Sequence, residues 1–231
     1  MSLQQLPLGL ELRNPTRLHD FVAGDNQALM QSLRKQLSED GETQIYIHAP
    51  SGTGRTHLLL GQCNAAREAG WSPVYLAAGE IESLSPQLLE GMEQYPLLAI
   101  DDIDQLAGRK DWEQALFALF NRARERGCRL LFSATNAPAK AGFELADLSS
   151  RLAWGITFRL RPLADSQRQR LLIALSERRG LEMPIDVARY LLQRYSRDIP
   201  RLVALVERLD RDSLAEKRRL TIPFVRSRLA S

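Results

Sequence analysis

Cysteine, lysine and long apolar runs are the scarce features of this 231-residue sequence. Its two cysteines, Cys63 and Cys128, are too few for a disulfide framework and show no metal-ligand spacing. The first twenty residues lack a basic stretch followed by an apolar one, so no secretory signal is expected. No run approaches the roughly 18 consecutive apolar residues that span a bilayer. Repeats and low-complexity tracts are missing as well. Together these absences predict a soluble protein of the cytoplasm. Lysine occurs 4 times against 27 arginines, a ratio that genomic codon bias accounts for. What is present is an ordinary globular balance, 44% hydrophobic and 26% charged, which excludes disorder as the main state. A chain of this length buries a core without staples.

The net charge of +3 conceals a split. Residues 1–150 carry 13 basic and 19 acidic side chains, a net of −6, whereas residues 151–231 carry 18 and 9, a net of +9. A basic C-terminal module facing phosphates or an acidic partner is implied. Residues 1–12 hold leucines without a helical or strand period and read as an extended arm. From residue 44 strands and helices alternate. Strands are expected at Gln44–His48, Val74–Ala77, Leu97–Ile100, Arg129–Ala134 and Ile156–Leu160, and helices at Arg55–Glu68, Leu84–Gln94 and Asp111–Arg126. That alternation predicts an α/β domain over 13–162 with a parallel sheet and right-handed crossovers. After Pro162 the strands stop. Amphipathic segments at 165–179, 185–196 and 200–218 predict a small all-helical domain over 163–231.

The most informative stretch is Ala49-Pro50-Ser51-Gly52-Thr53-Gly54-Arg55-Thr56, between an apolar strand and a helix. A phosphate loop asks for Gly, four variable residues, Gly, Lys, then Ser or Thr. Gly54 and Thr56 fit, Arg55 stands for Lys, and Ala49 stands for the first Gly. Successive N–H groups from Gly52 to Thr56 would form a nest for phosphate at a helix N-terminus. Thr56 would place its hydroxyl on Mg²⁺. Arg55 keeps the charge but not the point-like shape of lysine, so binding should survive better than hydrolysis. An unliganded Gly-rich turn is the plainer alternative. Against it, a second apolar strand ends in Asp101-Asp102, where Asp101 would organise the metal through water and Asp102 would activate the attacking water.

These residues resemble the AAA+ ATPases, in the branch of the bacterial replication initiator DnaA and its regulatory homologues. The resemblance rests also on Phe21-Val22-Ala23-Gly24-Asp25-Asn26, similar to the segment that wraps adenine, and on Thr56-His57-Leu58-Leu59 after the loop. Ser150-Arg151-Leu152-Ala153-Trp154-Gly155 is similar to the motif carrying the family's arginine finger, and Leu220-Thr221-Ile222-Pro223-Phe224-Val225 also matches. It implies a five-stranded parallel AAA+ sheet sandwiched by helices, followed by a helical lid. It implies ADP or ATP with Mg²⁺ as cofactors, held by Phe21, Gly24, Ser51, Gly52, Thr53, Gly54, Arg55, Thr56 and His57. Arg151 would act in trans on the γ-phosphate of a DnaA molecule. Asn136, with Thr135 as its rival, takes the place of a sensor residue after the fourth strand. The second sensor's place falls at Pro200, and Arg201, one position along, is expected to take over that nucleotide-binding role. Gln5-Leu6-Pro7-Leu8-Gly9-Leu10 resembles the peptide that docks on the DNA sliding clamp, the β subunit of DNA polymerase III. It has no aromatic near its end, which favours weaker docking.

The resemblance thus implies a clamp-tethered, replisome-associated regulator that stimulates hydrolysis by DnaA. DNA is reached through the clamp or by direct contact of the basic lid, and a second copy of this chain stays open as a partner. No helix-turn-helix segment follows the lid in this sequence, so an initiator is not expected. Two other classes remain: a stand-alone AAA+ ATPase of helicase-loader type, and an adaptor whose nucleotide site is vestigial. Arg55 and Ala49 count against the first, and the intact Gly54, Thr56, Asp101 and Asp102 against the second.

Overall fold

The computed structural model describes residues 16–196, 198–216 and 218–229. Its sheet forms where short apolar runs can be buried on both faces. The strands β1 (Gln44–His48), β2 (Val74–Ala77), β3 (Leu97–Asp101), β4 (Arg129–Ala134) and β5 (Ile156–Arg159) are all parallel, in the order β2-β3-β4-β1-β5. β1 lies between β4 and β5, with Ile45 opposite Leu131 on one side and Ile156 on the other. The period of two along each strand sorts the core into two layers. Ile45, Ile47, Leu97, Ala99 and Leu131 face one layer, and Tyr46, Leu98, Ile100, Leu130 and Phe132 the other.

Helices cover both layers. On the first lie α1 (Gln27–Gln36), through Leu29, Met30 and Leu33, and α2 (Arg55–Glu68), through Leu58, Leu59 and Cys63. A single helical turn, α3 (Ala78–Ile81), follows β2. The second layer takes α4 (Lys110–Arg126), through Trp112, Leu116 and Phe120, and α5 (Ala146–Leu152), through Leu148 and Leu152. Each large apolar side chain buried this way is worth about 1.5–3 kcal/mol. Burial also raises the thiols, Cys63 to about 12 and Cys128 to about 11, so both stay protonated and inert.

Beyond the sheet, α6 (Asp165–Glu177), α7 (Ile185–Arg194), α8 (Ile199–Glu216) and α9 (Ile222–Leu229) close around their own core of Leu172, Val187, Leu191, Leu202, Leu205, Val206, Leu209, Phe224 and Val225. This lid is tied to the sheet domain by the Arg178–Asp20 ion pair at 2.9 Å. Buried Asn26 ties the segment before α1 to the chain entering the lid, accepting from Arg161 N at 2.8 Å and donating to Arg161 O at 3.0 Å.

The helix expected over Leu84–Gln94 does not form. Pro86 opens a short 3-10 turn (Pro86–Leu89), Gly91 at φ 80° breaks it, and a second turn covers Met92–Gln94. Proline at the start and a left-handed glycine in the middle leave no room for a continuous ladder. Among the helices outside those expected are α1 and α9. α1 carries its apolar residues at helical spacing, and α9 has Pro223 in its first turn, where a missing N–H costs nothing. The arm at 1–12 lies outside the described residues. Among the described residues no helix is long and apolar enough to cross a membrane.

Candidate functional site

β1 runs into the loop that opens α2. Gly52 (φ 77°) and Gly54 (φ 101°) hold left-handed conformations that L side chains rarely adopt, and Gly54 caps α2. Both are also approached closely. A Cβ at Gly52 would collide with the Asp198 carboxylate from the lid, and one at Gly54 would press on the Phe21 ring. Among the described residues, the backbone N–H groups from Gly52 to Thr56 make no hydrogen bond. Unused donors at a helix N-terminus are the chemistry of an anion site.

Two adjoining cavities meet at this loop, sharing Thr16, Gly54, His57, Ile199 and Val203. The larger, about 680 Å³, lies between the segment before α1 and the lid, lined by Phe21, Val22, Leu163, Leu171 and Leu175 with Asp20, Arg178 and Arg179. The smaller, about 550 Å³, is lined by Ser51, Gly52, Arg55, Thr56, Asp102, Pro200 and Glu207. An apolar compartment with polar edges next to a polar one fits a base and ribose next to phosphates. The rings of Phe21 and His57 stand 5.9 Å apart at 42°. Burial lowers the His57 pKa below its ordinary value, against the opposing pull of the Arg17 carbonyl 3.3 Å from Nε2.

Arg55 does not project into the polar compartment as a free cation. Its side chain is 7% exposed and crosses the C-terminal ends of three strands. One terminal nitrogen donates to the carbonyls of Ala49 and Ala134, the latter at 2.7 Å, and the other donates to Asp102 Oδ1 at 2.6 Å. Asp102 is thereby held at φ 52°, the one non-glycine residue with positive φ among the described residues, with its N–H donated to Ser133 Oγ at 2.8 Å. Such a conformation persists only where the surroundings over-determine it. Burial and the neighbouring Asp101 charge raise the Asp102 pKa, while Arg55 works against them.

Asp101 is 4% exposed and accepts hydroxyl hydrogen bonds on both oxygens, from Tyr75 at 2.9 Å and from Ser133. Burial of the Tyr75 phenol, and after it the Asp101 charge, push that phenol far above its ordinary value. Of the two residues expected to serve a cation, only Thr56 faces the cavity, and among the described residues no group of three or more His, Cys, Asp or Glu is arranged so that it could hold a metal ion. A metal site organised by Asp101 does not fit this arrangement. A cation would have to arrive on the phosphates, with Thr56 as its protein contact.

The remaining expected residues are spread out. Thr53 turns back to donate to the Pro50 carbonyl at 2.7 Å, and Gly24 packs under the Gln167 side chain of α6; neither lines the two cavities. Asn136 is exposed, and its carbonyl accepts from the Tyr46 phenol at 3.0 Å. Thr135 lies nearer the loop, 3.4 Å from Arg55 and donating its N–H to Asp104 at 2.9 Å. Pro200 lines the polar cavity, whereas Arg201 is exposed beside Asp198 and does not. Gln5, Leu6, Pro7, Leu8 and Leu10 lie outside the described residues. Arg151 sits in the last turn of α5, beside the first residue of β1: Gln44 Nε2 donates to Arg151 O at 3.2 Å and to Leu152 O at 2.8 Å. Its guanidinium lies 4.0 Å from the centroid of the half-exposed Trp154 ring, on a face remote from the phosphate loop at the other end of the strand.

Sequence reasoning missed Tyr75, Ser133, Asp104, Asp198 and Glu207. Tyr75 lies within β2, Ser133 is the last residue but one of β4 and Asp104 follows just beyond β3, so strand order was the signal needed. Nothing in the local sequence marks the lid carboxylates.

Residues 12–159 match the family profile of the bacterial DnaA ATPase domain, and residues 165–229 that of the Hda lid domain. Among solved structures, domain III of the Thermotoga maritima replication initiation protein DnaA is 21% identical over 92% of this chain and 95% of its own, with a TM-score of 0.80. AMPPCP-bound DnaA from Aquifex aeolicus is 22% identical over 85% of this chain, at a TM-score of 0.73; the match spans 65% of that longer chain. The Thermotoga maritima RuvB Holliday junction branch migration motor is 17% identical over 92% of this chain and 70% of its own, at 0.72. Identities this low carry the fold alone.

Proposed function

The chain belongs to the bacterial DnaA ATPase-domain family, and from that premise we propose that it is a nucleotide-bound negative regulator of chromosomal replication initiation, a counterpart of Hda, the DnaA-homologous regulatory inactivator. In this reading ADP occupies the paired cavities, its phosphates on the loop N–H groups from Gly52 to Thr56 and its base between Phe21, His57 and the lid. Mg²⁺, where present, comes with the phosphates and meets Thr56. The AMPPCP-bound DnaA of the same fold supports an adenine nucleotide here. Arg151 enters the phosphate site of a neighbouring DnaA molecule, where a guanidinium placed against developing charge is worth about 10³–10⁵-fold in rate. The arm at Gln5–Leu10 docks on the DNA-loaded sliding clamp and brings the two proteins together.

One observation carries this reading. Asp102, at the position of a water-activating carboxylate, is held by Arg55, while Arg151 stands at an edge with no carboxylate partner among the described residues. A chain built so is a poor hydrolase and a competent donor of an arginine. The test is the ADP formed by ATP-loaded DnaA with clamp on DNA, with and without this protein. Slow turnover by the protein alone and fast turnover by the mixture are expected. Equal turnover with and without it would remove the regulator, and fast turnover without DnaA would make the chain a stand-alone ATPase of helicase-loader type.

A further inference from the structure

Arg151 shares its aromatic support with a second cation. Trp154, 54% exposed at the turn after α5, has Arg151 at 4.0 Å from its ring centroid and Arg124, from the last turn of α4, at 5.0 Å. Phe120 meets the same indole edge-on at 6.2 Å, fixing the ring plane. Among the described residues neither guanidinium forms an ion pair with a carboxylate. A ring face attracts a guanidinium through its quadrupole but brings no formal negative charge, so both cations keep their full charge and their donors. With both charges within 5.0 Å of one ring centroid, the two guanidinium groups are at most 9.0 Å apart, within the span of one polyphosphate.

The backbone beneath is rigid. Gly155 lies against the Gln44 backbone so closely that a Cβ would collide with the Gln44 carbonyl, and Gln44 also holds the end of α5. Trp154 is therefore fixed from both sides in sequence.

We infer that Arg124 is a second anion-binding residue of the edge that carries Arg151, and that Trp154 positions both, forming a two-guanidinium clamp for the polyphosphate of a nucleoside triphosphate held by a neighbouring AAA+ subunit. The inference rests on the reading in which Arg151 acts in trans. Arg124 engages the same phosphate chain from α4, so bound triphosphate is gripped by two helices rather than one.

The test compares Arg124→Ala, Trp154→Ala, Trp154→Phe and Arg151→Ala in the DnaA hydrolysis assay, with DnaA capture on the immobilised protein and duplex-DNA anisotropy measured alongside. Arg124→Ala is expected to lower the stimulated rate about tenfold with DnaA capture, DNA binding and thermal midpoint unchanged. Trp154→Ala should lose as much, and Trp154→Phe, which retains an aromatic face, should recover most of it. Wild-type stimulation by Arg124→Ala, where Arg151→Ala abolishes it, overturns the clamp and leaves the trans reading standing. Wild-type stimulation by Arg151→Ala overturns that reading and the clamp with it. A loss in Arg124→Ala that tracks a loss of duplex-DNA affinity assigns the patch to a nucleic-acid backbone and also overturns the clamp.

Discussion

Arg55 and Arg151 lie beyond opposite ends of β1, and the fold treats them in opposite ways. Arg55 is buried, its nitrogens taken by the carbonyls of Ala49 and Ala134 and by the Asp102 carboxylate. Arg151 stands at the surface on the Trp154 and Phe117 rings, which hold it without neutralising it. In a phosphate loop one expects the loop cation to do the chemistry. Here that cation closes the sheet end, and the one that is free belongs to the far edge. What decides whether a charge is available is its partner: a carboxylate cancels it, an aromatic face preserves it.

The largest effect should come from breaking the member held by aromatic rings. Arg151→Ala should reduce stimulated DnaA hydrolysis on the order of 10³-fold, while the affinity for a fluorescent ADP analogue stays that of the wild type. Loss of that affinity would place Arg151 in the chain's own pocket and erase the contrast. Breaking the buried member should instead appear as stability. Arg55→Ala leaves the Ala49 carbonyl and Asp102 Oδ1 without their donor and Ala134 O with only the Ala49 N–H, at a cost of about 1–3 kcal/mol, with Asp102's partial exposure holding it toward the lower end. A urea midpoint unchanged from wild type would show that the pair closes nothing. The comparison is sharpened by Asp102→Asn, which removes a negative charge from the polar cavity and releases Arg55 toward it. ADP binding should tighten roughly threefold to tenfold, or about 0.7–1.4 kcal/mol, and calorimetry would expose any weakening.

The smallest effect concerns His57, beside Phe21 where the base is proposed to lie. Its pKa is lowered from 6.5, chiefly by burial, with Arg178 adding to the shift and Asp20 and the Arg17 carbonyl resisting it. A lowered base favours the neutral ring in the folded state, so its contribution is present above pH 6.5 and is lost as pH falls through the lowered value. The thermal midpoint of His57→Gln should therefore fall less than that of the wild type between pH 7 and 5. Parallel curves would remove His57 as the cause.

The sheet was legible in the sequence because parallel strands buried on both faces read as unbroken apolar runs, as Leu97–Ile100 does. The glycine-rich turn into α2 was legible from the spacing of Gly52, Gly54 and Thr56. Its arginine was not. Arg55 meets Ala134 and Asp102 only because β4 lies between β1 and β3, and no local pattern states that order. The same holds for Tyr75 and Ser133, which take both oxygens of Asp101 from the strands on either side. The turns at Pro86 and Gly91 were written in the residue types, but the apolar residues around them mimic a helix. Lid residues such as Asp198 reach the loop only through the docking of a separate core, which composition does not encode.

Gln44 gives β1 a use beyond pairing. Its side chain grips the end of α5 while four residues later the strand runs out into the loop. In the proposed reading, the span between the end that would give a guanidinium and the end that would receive a phosphate is thus gauged by one strand of about 16 Å. That gauge lies within the sheet, so in the proposed reading a change in how the lid sits on the pocket would leave the reach onto a neighbour unchanged.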